Sequence, residues 1–311
     1  DSDSKHPGYL IEETRTGSTT HYRHYTSGTL DNVDVNSAGC TISDIAFISA
    51  STTTSQEIID YEGADVDVDS CILHTTTPTA QKDGLYTRNT GRTLNATNCI
   101  ITGFARGGIH VQNYSGGSGT HNCNVDSCTI YKCGTDNATG GIVGLETSCV
   151  LNFDIDNSVI LDCGTGTDSS DLKDNTLGCT WNIDYTIVSD GSITLNITSG
   201  GNNLQNRTET DSDSPGTGDW VVFEDVTTAP YDLRLKTNAE NDAEDSGATT
   251  LTEDIVGTSR PQTTDDRGAF EIPAAVPKTA TGTLSNPASI SGAATIGRLA
   301  SGILSNPASV S

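Results

Sequence analysis

The chain has 311 residues, with 5% aromatics, no Met and 32 Gly. That is poor material for long helices and good material for short strands joined by turns, so an all-β fold is favoured from the start. The formal charge of -25, from 41 acidic and 16 basic residues, excludes nucleic acid, whose binding needs Lys and Arg to displace condensed counterions. It also disfavours a polyanionic substrate unless cations bridge the two.

Residues 1–29 show no repeat and are assigned to an N-terminal lead-in. From residue 30 to 200 a short apolar strand returns after each Asp/Asn/Ser turn: Cys40-Thr41-Ile42, Cys71-Ile72-Leu73, Cys99-Ile100-Ile101, Cys128-Thr129-Ile130, Ser158-Val159-Ile160 and Tyr185-Thr186-Ile187. The period drifts around about 29 residues, as expected of stacked coils with constant strands and variable loops. A strand of period-2 alternation precedes each triplet, for example Cys123 and Val125 before Asp126-Ser127. A third strand follows, marked by Ile59, Leu85, Ile109, Ile142 and Leu172 and usually entered through Gly, as in Gly107-Gly108 and Gly140-Gly141. Three strands per coil predict a three-sided solenoid, a right-handed parallel β-helix. Its expected inner ladder is Ile42, Leu73, Ile101, Ile130, Ile160 and Ile187, beside a ladder of Cys40, Cys71, Cys99 and Cys128.

Nine cysteines cannot all pair within one chain, and neither CxxC pairs nor Cys/His metal spacing occurs. They read as reduced, buried small side chains of a protein folded in a cytosol-like compartment. No apolar run approaches the ~18 residues of a membrane span, and no signal peptide is visible.

Residues 201–272 are assigned to closing the solenoid, with Trp220, Val221, Val222 and Phe223 covering the open end of the core. Within 211–219, Asp-Ser-Asp-Ser-Pro-Gly-Thr-Gly-Asp has the oxygen content of a calcium loop but not the EF-hand spacing, and reads as a polar surface loop. Residues 273–311 are rich in Ala, Ser, Gly and Pro, and Leu284-Ser285-Asn286-Pro287-Ala288-Ser289 returns 20 residues later. Such a segment is a linker or a set of strands completed by partner chains.

The pattern over residues 30–200 resembles the pectin-lyase-like parallel β-helices. The run Arg260-Pro261 followed by Asp266-Arg267-Gly268-Ala269-Phe270-Glu271 is similar to the closing segment of many bacterial and phage β-helix proteins. The resemblance implies a structural or host-recognition component of a phage virion or similar extracellular fibre or tailspike, folded in the host cytoplasm. It further implies a homo-oligomer, such rods being commonly trimers, in contact with other appendage proteins and a cell-surface glycan, and with no membrane insertion.

Candidate glycan contacts lie on the outer positions of the third strand and beside it: Tyr86, Arg88, Arg106, His110, Gln112 and Lys132. Aromatic rings pack on sugar C–H faces, while Arg and Gln meet hydroxyls. No residue is nominated as catalytic, because the Asp-Asp, Gly-His-Gly and Arg-x-Lys elements of polygalacturonase-like enzymes and the motifs of pectate lyases are missing. No metal or cofactor is expected. The rival readings are a polysaccharide lyase or glycoside hydrolase of this fold, and a bacterial surface adhesin.

Overall fold

A computed structural model describes residues 22–26, 33–35, 39–49, 56–61, 65–76, 82–87, 91–112, 119–136, 139–145, 150–164, 170–175, 178–189, 197–199, 202–212, 215, 218–227, 231–237, 241–244, 246–261 and 265–272. Among them the long regular elements are all strands, in three parallel sheets and one small three-stranded sheet. The parallel sheets stack coils of about 28 residues into a three-sided, right-handed β-helix. The expected fold class is therefore observed.

Each coil runs through the sheets in turn. The first sheet holds Cys40–Ser43, Val66–Asp69, Thr93–Thr97, Thr120–Asp126, Val150–Asp156, Thr180–Asp184 and Ile197–Ser199. The second holds Tyr22–Thr26, Ile45–Ser49, Ile72–Thr75, Ile100–Thr102, Thr129–Tyr131, Val159–Leu161 and Ile187–Val188. The third holds Val33–Asp34, Gln56–Asp60, Lys82–Thr87, Gly107–Gln112, Gly140–Leu145 and Ser170–Asp174.

Between first and second strands the chain bends through one left-handed residue: Asp44, Ser70, Asn98, Ser127, Asn157 and Tyr185, with φ from 45° to 58°. Asn and Asp tolerate this region because their short polar side chains bond locally. The ladder continues through the bend, since Ser70 N–H donates to Thr97 O and Asn98 N–H to Asp126 O.

These bends correct the two ends of the expected ladder. Leu73, Ile101, Ile130 and Ile160 do stand over one another. Above Leu73, however, comes Phe47, while Ile42 and Cys40 belong to the first sheet opposite Val68 and Val66. At the other end Val188 pairs with Ile160, and Ile187 with Val159. The reason is local: the first-coil Cys-x-Ile precedes its bend, and Tyr185 occupies a bend instead of opening a strand.

The core lies inside the three sheets and includes Phe47, Leu73, Leu94, Ile109, Val125, Phe153 and Trp181, the last two stacked at 4.1 Å between centroids. At the start of the third strand glycine is required by space. A Cβ on Gly108 would lie 2.8 Å from Ile130 Cγ2 and 2.9 Å from Gly141 O, so only Gly lets the corner close.

The outer faces differ. On the first sheet polar side chains stack between coils, Asn95 Nδ2 donating to Asp67 Oδ1 at 2.6 Å and Asn124 Nδ2 to Asn95 Oδ1 at 2.7 Å. The second sheet is apolar on its outer face as well, where Ala46, Ile72, Ile100, Val159, Leu161 and Ile187 are buried. They pack with Val221, Phe223, Leu233, Ile255, Ala269 and Phe270. The closing segment therefore lies along the side of the second sheet. This corrects the expectation that Val221 and Phe223 plug the core end: an apolar sheet face needs cover along its whole length, and it outweighs one coil's cross-section.

The final part of this segment, 241–272, acts as a strap. It bonds to successive coils through Asn98 Nδ2 to Glu253 O, Thr249 Oγ1 to Asp126, Ala269 N–H to Thr129 Oγ1 and Gly268 N–H to Asn157 O. The resemblance motif carries a left-handed glycine, Gly268 with φ 92°. Residues 273–311, with the 20-residue repeat, fall outside the described residues.

Candidate functional site

The third sheet sets Tyr86 beside His110, and His110 beside Val143, on consecutive coils. Their strand neighbours Leu85, Ile109, Val111 and Ile142 face the core. Alternation thus turns Tyr86, His110 and Gln112 outward, as expected. They are nevertheless buried, at 3%, 4% and 2% exposure, so this is not the open face that alternation alone suggests.

The side chains form one connected cluster. Tyr86 OH donates to Gln112 Oε1 at 2.8 Å, and Arg106 Nη2 donates to the same oxygen at 3.3 Å. The Arg106 guanidinium lies 5.1 Å above the Tyr86 ring. Tyr86 and His110 meet edge to face at 5.3 Å, an arrangement the ring quadrupoles favour. Arg106, just ahead of the strand Gly107–Gln112, is the outermost member, with its side chain 21% exposed.

Beneath them lies Asp83, fully buried, whose carboxylate is 3.2 Å from His110 Nδ1 and 3.3 Å from Arg106 Nε. A buried carboxylate needs such partners, because desolvation otherwise drives it to neutralise. Burial opposes the charge on Arg106, but Asp83 and the adjoining Tyr86 and Glu57 outweigh it and raise its pKa. His110 Nδ1 has two alternatives: it donates to Asp83, or it accepts from Arg106 Nε at 3.0 Å. In both tautomers Nε2 is buried without a hydrogen-bond partner.

No protein-family model, curated protein or solved structure matches this chain. The site therefore rests on its own chemistry.

Four of the six sequence-nominated residues come together: Tyr86, Arg106, His110 and Gln112. Arg88 lies outside the described residues. Lys132 is elsewhere, in a left-handed turn closing a second-sheet strand, with Nζ 4.9 Å from the Tyr131 ring centroid and 4.6 Å from that of Tyr231. Its Nζ also reaches Val226 O at 3.4 Å, so it fastens the closing segment to the solenoid. Within 211–219, Asp211 O and Asp219 accept from Lys236 and Arg207. Among the described residues no group of three or more His, Cys, Asp and Glu is arranged to hold a metal ion.

Asp83 was missed. Counting back from Leu85 sends residue 83 inward, yet Gly84 also faces the core, its Cβ position 2.9 Å from Ile101 Cγ2. Two consecutive core-facing residues break the alternation and bring Asp83 to His110. The Asp-Gly pair at the strand entry was the available signal.

Proposed function

We propose that this chain is a glycan-recognition component of a virion or similar extracellular appendage, built as a pectin-lyase-like β-helix and using the Tyr86–Arg106–His110–Gln112 cluster to meet sugar. The observation that carries the reading is the partly exposed Arg106 guanidinium, held over the Tyr86 ring and fixed by Asp83 and Gln112. A planar donor that is already immobilised loses little entropy on binding hydroxyls. The acidic field favours a neutral glycan over a polyanion. Buried thiols, compatible with folding in a reducing cytoplasm, support assembly inside a host cell.

The test is binding of the whole protein to neutral surface polysaccharides by glycan array and calorimetry. Arg106→Ala is expected to weaken binding about tenfold or more, in the range of a lost charge-assisted hydrogen bond. Unchanged affinity in that variant would remove the cluster from the interface.

A second reading, a polysaccharide-cleaving enzyme, is favoured by one observation: His110 is oriented at Nδ1 while its buried Nε2 is engaged by no hydrogen bond. Shortening of polysaccharide chains by the native protein, abolished in His110→Gln, would establish it over recognition alone.

A further inference from the structure

The strap, residues 241–272, buries four carboxyls beside two guanidinium groups. Asp254, Asp265, Asp266 and Glu271 are all buried, and so are Arg260 and Arg267. Arg260 makes one carboxylate contact, Nη1 to Glu271 Oε2 at 3.3 Å. Its other bonds go to Asp266 O, Gly268 O and Asn98 Oδ1. Arg267 turns away, its Nε donating to Ser246 O and its guanidinium lying 5.8 Å from the Tyr185 ring centroid.

Backbone donors reach all four carboxyls. Asp254 accepts from the N–H groups of Val256, Thr258 and Glu271. Asp265 accepts from Thr249 N–H, and Asp266 from Ile272 N–H. Glu271 has Asp266 N–H at 3.0 Å and the longer Arg260 contact, both on Oε2, with the charges of Asp265 and Asp266 beside it.

We propose that the strap is an acid-tightened latch on the second sheet, with the Glu271 carboxyl as its proton switch. Proton uptake at Glu271 removes one of the crowded negative charges and leaves Oε2 available to its two donors. Burial, reinforced by Asp266 and Asp265 and opposed by Arg260, raises its pKa to about 7. A carboxyl raised in the closed state favours that state in acid, and the benefit fades as pH rises through 7.

Titratable groups of the solenoid bound the window. Asp126, which meets Thr249 Oγ1, is also raised, chiefly by burial, and acts in the same direction. Burial lowers His74, on the outer face of the second sheet, to about 4. Opening that lets His74 charge is therefore favoured below its ordinary value of about 6.5, opposing the latch there. The Glu271 effect is cleanest above that pH.

Hydrogen–deuterium exchange of the full chain, corrected for intrinsic rates, reads the latch directly. Protection of strap peptides relative to peptides at Ile101 and Ile130 is expected to rise about fourfold from pH 8.5 to 6.5, as linkage to a group titrating near 7 requires. In Glu271→Gln most of that rise is expected to be lost, leaving only what Asp126 contributes. Equal strap protection at both pH values, or an unaltered rise in the variant, overturns the proposal. Should the variant not fold, an NMR titration of the unmodified protein labelled at Glu carboxyls decides. One carboxyl titrating near 7 is expected, and all of them titrating at about 4 to 5 overturns the proposal.

Discussion

From the second coil on, the position following the left-handed bend is filled by Cys71, Cys99, Cys128, Ser158 and Thr186. Each side chain donates to the carbonyl two residues earlier, from Cys99 Sγ to Thr97 O at 3.2 Å to Ser158 Oγ to Asp156 O at 2.8 Å. Cys71, Cys99 and Cys128 also reach a carbonyl of the preceding coil. Cysteine is used here as a compact donor that closes the corner, and hydroxyls replace it where the column ends. Burial raises the pKa of Cys71, Cys99 and Cys163 well above the ordinary thiol range, so the reactive thiolate is scarce. Alkylation of the native protein followed by peptide mapping should modify the half-buried Cys40 well before Cys99 or Cys128, and unfolding should level the rates. Early modification of Cys99 would show that the corner opens more readily than its packing implies.

At the scale of strands, the return of one apolar column every coil was enough to specify the architecture, because a register slip would expose the whole column. Leu73, Ile101, Ile130 and Ile160 were legible for that reason. Ile42, Ile187 and Cys40 were misplaced because a left-handed bend has no fixed residue type: Asp44 and Tyr185 serve as well as Asn98. The second-sheet pairs and triplets Ile72-Leu73, Ile100-Ile101 and Val159-Ile160-Leu161 are apolar at consecutive positions, which is the mark of a strand buried on both faces. That signal was overlooked when the closing segment was assigned to the core end; Val221, Phe223, Leu233, Ile255 and Phe270 supply the lateral cover. Within the site, the alternating residues were readable, while Asp83 was hidden by the break at Gly84. The same corner yields a prediction. Gly108→Ala should cost about 1 to 3 kcal/mol in denaturant unfolding, as overpacking does. Adding Ile130→Ala, which removes the Cγ2 contact, should not restore the loss, because the approach to Gly141 O at 2.9 Å is to backbone and cannot move aside.

Over the whole molecule, a net charge of -25 means that acidic groups repel more than they attract, and the structure concentrates this along one edge. Asp126, Asp156 and Asp184 stand in register on consecutive coils. Burial and then the neighbouring carboxylates raise Asp156 to about 6. A carboxyl with its folded-state pKa above the unfolded value of about 3.9 contributes stability that is fully present below that value and lost as pH rises through 6. His74 has the opposite sign: its pKa of about 4 contributes stability above 6.5, and up to about 3 kcal/mol of it is lost as pH falls through 4. Thermal unfolding followed by circular dichroism should therefore show stability rising as pH falls from 8, with His74 offsetting part of the gain from Glu271 and Asp156 below about 6.5. Asp156→Asn should raise the melting temperature at pH 8 and flatten the upper part of the profile, since the amide keeps the shape and removes the like charge. His74→Asn should change only the acid limb. If Asp156→Asn lowers the melting temperature at pH 8, the carboxylate column is a source of cohesion, for instance through bound cations, and its repulsion is not what limits stability.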